Sequence, residues 1–342
     1  MDSLKQAYSI SNRTTLKEHN GTVVSMLKLN SDEFLSLSID KKVCLWNTKI
    51  NLPELIVTTN AAPTKLLNLK KAKKILIPNW DNSFSIVPKL SILKRKPTLT
   101  TLTGHSSWVL HACEMNKENT IATCSRDKTI RIWNIDSNIL LMTLEDHTDI
   151  VNYVIPLDND ELLSCSSDFT IKLWDTETPR CINTIKDGDL PVFQMIKLDN
   201  DTLITRSESN YNNIWNYRTG ELVRSFHNHY TNVICMIILK NKKIATGSYD
   251  HTVKIWNTNS DKEEATLKGH KFTVYCLAEM KNGNIISGSG DKSIKIWNGN
   301  TYECLATVTG HEKYVFSLLV LDKELFASGG YDSQIVLWKH QA

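Results

Sequence analysis

The sequence predicts an all-β chain built from eight tandem copies of one unit of about 41 residues. Three observations carry that reading. A His-x-x-x-Val motif recurs at His19, His105, His147, His229, His270 and His311, with steps of 41 or 42 residues where nothing intervenes. An aspartate follows 21 or 22 residues after the histidine position, and six residues later comes a tryptophan. Between these markers apolar and polar residues alternate as they do in strands, and no stretch carries a sustained helical pattern.

Each unit can be justified in turn from a set of four residues, with a Ser or Thr placed four before the aspartate. The first holds His19, Ser36, Asp40 and Trp46, complete. The second has Asn60, Ile77, Asp81 and Val87, so only the carboxylate remains, but Ile75-Leu76-Ile77 still reads as a strand. The third (His105, Thr123, Asp127, Trp133) and fourth (His147, Ser164, Asp168, Trp174) are complete. In the fifth, Gly188, Thr205, Ser209 and Trp215 lose both the imidazole and the carboxylate. The sixth (His229, Thr246, Asp250, Trp256), seventh (His270, Ser287, Asp291, Trp297) and eighth (His311, Ser328, Asp332, Trp338) are complete again. Both degenerate units are expected to form, held by their neighbours, and to be looser than the rest.

The ends of the chain fit one another. Only four residues follow Trp338, too few for the strand that follows tryptophan in the other repeats, whereas Arg13 to His19 aligns with Leu141 to His147. The N-terminal segment should therefore supply the outer strand of the last repeat and remove an exposed sheet edge.

Composition narrows the class. There are 40 Lys+Arg against 37 Asp+Glu, and 41% of residues are hydrophobic, as in a globular protein that buries a large core. A net charge of +3 argues against a nucleic-acid binder as a whole. The longest apolar run, Val233 to Leu239, is too short for a secretory or membrane segment, so a cytoplasmic protein is expected, with the nucleus as the other compartment. The eight cysteines contain no C-x-x-C pair, which removes the usual zinc and thioredoxin readings and favours reduced, packed thiols. No cofactor or metal is expected.

Gly-His stands at Gly104-His105, Gly269-His270 and Gly310-His311, Trp-Asp at Trp174-Asp175, and Trp-Asn elsewhere in most repeats. In these features the chain resembles the WD40-repeat family from about Ser9 to Trp338. The resemblance implies that each unit forms four antiparallel strands of a propeller blade, giving an eight-bladed propeller over a single domain, residues 1–342. A seven-bladed arrangement with repeat 2 as an irregular excursion is the alternative.

The same resemblance bears on chemistry. Any one His/Ser/Asp set could be proposed as a hydrolase triad, but six copies at the repeat period would serve each blade alike. They fit the family's relay from Trp N–H through hydroxyl and imidazole to carboxylate, which fixes strand register and is structural. No catalytic residue is assigned, and the chain is expected not to be an enzyme.

Three expectations concern partners. In WD40 propellers the residues flanking the inner-strand valine, and the residue before the turn aspartate, reach the top face. Eight of those 24 positions are aromatic here, and the partner-binding set is Trp80, Trp108, Leu110, Arg126, Tyr249, Tyr275, Tyr314, Phe316 and Tyr331. This points to a scaffold or adaptor, a monomeric propeller holding a protein or peptide. Second, Lys70, Lys71, Lys73, Lys74, Lys89, Lys94, Arg95 and Lys96 lie in two turns of the second repeat with no acid among them, forming a basic pole on the opposite face for an acidic protein, a phosphoinositide membrane or RNA. Third, Trp215-Asn216-Tyr217-Arg218 weakly echoes a W-D-x-R docking motif, so a substrate receptor of a ubiquitin ligase is a further alternative.

Overall fold

The computed structural model describes residues 9–341 except 200, 209, 210, 228 and 261, with the side chains of 9–12, 56, 227 and 341 left out. Ser209 of the fifth repeat therefore lies outside the described residues. An N-terminal strand β1 (Ser9–Lys17) precedes blade 1, which is β2 (Val23–Lys28), β3 (Glu33–Ser38), β4 (Lys42–Asn47) and β5 (Pro53–Thr58). Blade 2 is β6 (Leu67–Leu69), β7 (Lys74–Pro78), β8 (Ser83–Pro88) and, after a short helix α1 (Lys89–Leu93), β9 (Thr100–Thr103). Blade 3 is β10 (Val109–Glu114), β11 (Thr120–Ser125), β12 (Ile130–Asn134) and β13 (Ile139–Leu144); blade 4 is β14 (Val151–Pro156), β15 (Glu161–Ser166), β16 (Thr170–Asp175) and β17 (Arg180–Lys186). Blade 5 is β18 (Val192–Lys197), β19 (Thr202–Ser207), β20 (Tyr211–Asn216) and β21 (Leu222–His227); blade 6 is β22 (Val233–Ile238), β23 (Ile244–Ser248), β24 (Val253–Trp256) and β25 (Glu263–Leu267). Blade 7 is β26 (Val274–Glu279), β27 (Ile285–Ser289), β28 (Ser293–Trp297) and β29 (Cys304–Thr309), and the last blade begins with β30 (Val315–Val320), β31 (Leu325–Gly330) and β32 (Gln334–Gln341).

Eight four-stranded antiparallel sheets result, an all-β, eight-bladed propeller arrangement. The degenerate second repeat forms a complete sheet, which sets aside the seven-bladed alternative. The chain divides into two compact units, one of Met1–Thr58 with Val233–Ala342 and the other of Thr59–Asn232. Each holds four blades.

In the first unit β1 pairs antiparallel with β32 and completes the last blade, from Ser9 opposite Gln341 to Lys17 opposite Gln334. Leu16 is buried in the core between blades 8 and 1 with Val23, Phe34, Trp46 and Ile335. Small residues let neighbouring blades approach. A Cβ on Gly288 would lie 2.7 Å from Val315 Cγ1, and one on Gly329 2.6 Å from Val23 Cγ1, so the first-strand valine of the next blade occupies the space a side chain would need.

In the second unit the corresponding positions are Cys124 in blade 3 and Cys165 in blade 4, both buried, and both thiols are pushed well up by burial. Here cysteine acts as a small apolar residue. Blade 2 packs Leu76, Phe84 and Leu102 against Val109, Ile121 and Trp133 of blade 3, with Phe84 edge-on to the indole. Helix α1 fills the longer connection after Val87. A period-based reading does not give it, because five residues are too few to show one.

Candidate functional site

The six tryptophan indoles of the complete repeats donate to the Ser or Thr hydroxyl of their own blade at 2.7–2.9 Å. In five blades that hydroxyl stands 2.6–2.8 Å from His Nε2, and His Nδ1 stands 2.7–3.3 Å from the aspartate. With its oxygen accepting from the indole, the hydroxyl donates to Nε2, which leaves the imidazole proton on Nδ1 facing the carboxylate. In blade 6 Trp256 donates to Thr246, Asp250 accepts the Thr252 N–H at 2.9 Å, and His229 is buried.

Each relay aspartate also ties the turn. Asp127 accepts backbone N–H groups from Ser106 and Thr129 and the Thr129 hydroxyl. Burial alone would raise its pKa, but the hydrogen bond and charge of His105 with those donors outweigh it and hold the carboxyl well below its ordinary value. Asp168 and Asp291 behave alike, and Asp40 and Asp332 are lowered too. The serine hydroxyls, Ser36, Ser164, Ser287 and Ser328, are fully buried.

Two blades solve the same problem differently. In blade 5 the Trp215 indole donates not to Thr205 but to Asp187 Oδ1 at 2.8 Å, and Asn213 Nδ2 donates to the same oxygen at 2.6 Å. Asp187 precedes the marker position Gly188 by one residue, so the repeat does possess a buried carboxylate that the spacing did not reveal. In blade 2 the buried Asn79 amide donates to Ser83 and Ser85 while the Ser83 hydroxyl donates to Asp81.

Aromatic residues gather at the turns joining second and third strands. In the second unit Trp80, in the β7–β8 turn, stacks on Trp108, which precedes β10, with centroids 5.1 Å apart and planes 11° off parallel. The Arg126 guanidinium lies 4.6 Å from the Trp108 ring centroid, giving a three-layer stack in which Trp80 is 43% exposed. In the first unit Tyr275 stacks on Phe316 at 4.8 Å and on Tyr314 at 5.8 Å, and Tyr331 leans on both Tyr314 and Phe316. Phe272, which lies two residues before the leading Val274 and so outside the valine-flanking positions that the sequence reading used, extends the stack from Tyr314 to His251. Tyr249 is exposed in the β23–β24 turn.

β-Bulges aim some of these side chains. The pairing of first and second strands skips one residue after the leading valine, and the skipped residues include Leu110, Tyr275 and Phe316. A bulge redirects the extra residue out of the regular alternation.

The basic residues fall at the other end of blade 2, in the β6–β7 turn and in α1 with the turn after it. The two segments meet, Lys89 N donating to Lys73 O at 3.0 Å. The pole is less uniformly basic than its own stretch of chain. Glu114 accepts the N–H groups of Lys71 and Ala72, and Lys74 pairs with Asp136 at 2.6 Å. Lys71 Nζ donates to Asn116 Oδ1 and the Met115 carbonyl. Lys70, Lys73, Lys94 and Lys96 form no ion pair among the described residues.

In the Trp215 to Arg218 segment Tyr217 is buried, while Arg218 is exposed and bonds Glu161 at 2.9 Å.

Compared with known proteins, the chain matches the WD40 family (WD domain, G-beta repeat) at residues 96–134, 138–175, 220–257, 261–298 and 302–339, more than half its length. No curated protein matches it in sequence. Among solved structures it is similar to the computationally designed Ika8 protein, with 21% identity over 95% of this chain and 98% of that one and a TM-score of 0.83. It is similar also to the WD40 beta propeller domain of Doa1, with 24% identity over 86% of this chain and 98% of that one and a TM-score of 0.67. At these identities the likeness speaks for the fold alone. With repeats of that family matched across most of the blades, this chain is a member of the WD40 family of G-beta repeat proteins.

Proposed function

We propose that the chain is a non-catalytic scaffold or adaptor that holds a protein or peptide partner on its exposed aromatic stacks. WD40 propellers commonly bind protein partners and are typically without catalysis. One observation carries the reading for this chain: rings that pack against one another remain open to solvent, Tyr331 at 49% and Phe272 at 48%, where a core would bury them. Contiguous apolar surface of this kind marks interaction sites, and aromatic anchors already held by neighbours lose little freedom when a partner covers them.

The histidine relays support a structural role. Their serine oxygens are buried and already accept the tryptophan N–H, so none is presented to a substrate as a nucleophile.

Proximity labelling followed by mass spectrometry, comparing wild type with Tyr314→Ala/Tyr331→Ala and with Trp80→Ala/Trp108→Ala, tests this. The reading requires that at least one abundant neighbour is lost from a variant whose melting temperature is unchanged. An identical set of neighbours for both folded variants overturns it.

A further inference from the structure

The basic edge of blade 2 carries more than charge. Helix α1 turns Ile92 inward, where it is 2% exposed, and leaves Leu90 and Leu93 outward at 60% and 39%. These two leucines sit three residues apart and so share one face of the turn. Lys89 precedes them, Lys94, Arg95 and Lys96 follow, and the β6–β7 turn with Lys70 and Lys73 is joined to the helix through Lys89 N and Lys73 O.

The turn is built rather than loose. The amides of Lys94, Arg95 and Lys96 bond back to the carbonyls of Leu90, Ile92 and Ser91, and the Ser91 hydroxyl donates to Pro88 O at 2.7 Å. Arg95 has a φ of 55°, which closes the helix and turns the chain sharply. The leucines are thus held outward by backbone bonds and by the buried Ile92.

From this geometry we propose that the α1 edge of blade 2 docks on an anionic lipid bilayer, Leu90 and Leu93 entering the headgroup region while Lys70, Lys73, Lys94 and Lys96 meet lipid phosphates and carboxylates. Exposed leucines are unfavourable in water and favourable in the interface, and surrounding cations supply the attraction to an anionic leaflet. A nucleic acid would use the lysines but gains nothing from two aliphatic side chains between them, and an acidic protein surface would have to desolvate them beside its own carboxylates. Electrostatics within the edge agree. Partial burial is the main cause that lowers the pKa of Lys89, with Glu114 opposing it and the nearby charge of Lys70 adding a smaller lowering. The surface lies at the opposite end of blade 2 from Trp80, so the proposal stands apart from the aromatic partner site.

Cosedimentation of the full chain with phosphatidylcholine vesicles, with and without phosphatidylserine, reads the binding. The wild type should bind only the phosphatidylserine vesicles, and more weakly as salt rises. Leu90→Asp/Leu93→Asp should weaken that binding by roughly tenfold or more. Lys70→Glu/Lys73→Glu/Lys94→Glu/Lys96→Glu should abolish it, since each basic group near an anionic leaflet is worth roughly fivefold. Leu90→Trp, which adds a reporter at the exposed site, should show a blue-shifted emission on vesicles. It also decides the matter if the aspartate pair proves unstable. Absence of wild-type binding at low salt overturns the proposal. So does unchanged vesicle binding by the folded leucine pair, which would mean charge attraction without insertion, and so does preferential binding of poly-uridine insensitive to that pair.

Discussion

Trp215 donates its indole N–H to the carboxylate of Asp187, a side chain 1% exposed, where six other blades use a hydroxyl for the same indole. A buried carboxylate is costly unless its oxygens are bonded, and the donors Trp215 and Asn213 meet one of them. Asp187→Ala removes the acceptor of both and should cost about 1–3 kcal/mol of stability, read from denaturant unfolding. Asp187→Asn keeps a carbonyl oxygen in place and should cost less. Equal loss from the two variants would show that the oxygen acceptor is not what matters.

The relay carboxylates make the fold acid-sensitive with a definite sign. Asp40, Asp127, Asp168, Asp291 and Asp332 are held below their unfolded value, so their contribution is complete above about pH 4 and disappears as pH falls towards their folded values. His19 adds an earlier step. Burial lowers its pKa against the opposing charge of Asp40, so the folded state resists protonating it and stability declines once pH drops below the unfolded value of about 6.5. Melting temperature should be level from pH 8 to 7, fall gently towards pH 5 and steeply below 4. Asp291→Asn should flatten part of the steep phase. A melting temperature that rises on acidification would reverse the argument.

Removal of residues 1–16 takes away most of β1 and with it Leu16, the Arg13 bond to the Gly310 carbonyl at 2.7 Å and the Arg13 guanidinium over the Trp338 ring. The open edge of β32 is then a template for another chain. The truncated protein should melt earlier and self-associate in size-exclusion chromatography. A soluble monomer with unchanged melting temperature would show that β1 is dispensable.

How much of this was legible follows the range of the contacts. Relay residues sit within one blade at fixed separations, so Trp338 and His311 can be found by counting, and the alignment of Arg13 to His19 with Leu141 to His147 points to β1 as an outer strand. Contacts between blades are harder. Glu114 and Asp136 belong to the repeat after the lysines they hold, so the absence of acids among the cations of the second repeat overstates the basicity of that edge. A signal existed nonetheless. Lys240 N bonds Glu279 and Lys240 Nζ bonds the Met280 carbonyl, repeating what Lys71 does with Glu114 and Met115, and the Glu-Met pair stands at the same place in both repeats. The Trp80–Trp108 stack depends on how two turns from successive blades meet, which no spacing encodes.

Thiol reactivity should follow burial. Cys44 is pushed up to about 12 by burial, Cys113, Cys124, Cys165 and Cys276 are raised likewise, and Cys304 is exposed. The thiolate is the reactive form, so alkylation at pH 8 in the native protein should label Cys304 first, located by peptide mapping. Fast labelling of Cys124 or Cys165 before unfolding would contradict the packing between blades 3, 4 and 5.

The aromatic stack of the first unit separates binding from stability residue by residue. Tyr331 is half-exposed and its neighbours Tyr314 and Phe316 keep their own contacts with Tyr275 without it, so Tyr331→Ala should change folding stability by no more than about 0.5 kcal/mol. Phe316 is less exposed, sits at the bulge of β30 and supports both Tyr275 and Tyr331, so Phe316→Ala should lower stability as well as binding. If this surface holds a partner, Tyr331→Ala costs about 2 kcal/mol or more of its affinity, since a ring already held by its neighbours loses little entropy on being covered. Isothermal calorimetry with whichever neighbour proximity labelling identifies, set beside unfolding of the same variants, reads both quantities. Loss of affinity that only tracks loss of stability across the series would mean the rings serve packing, and the partner site would then have to lie elsewhere on the blades.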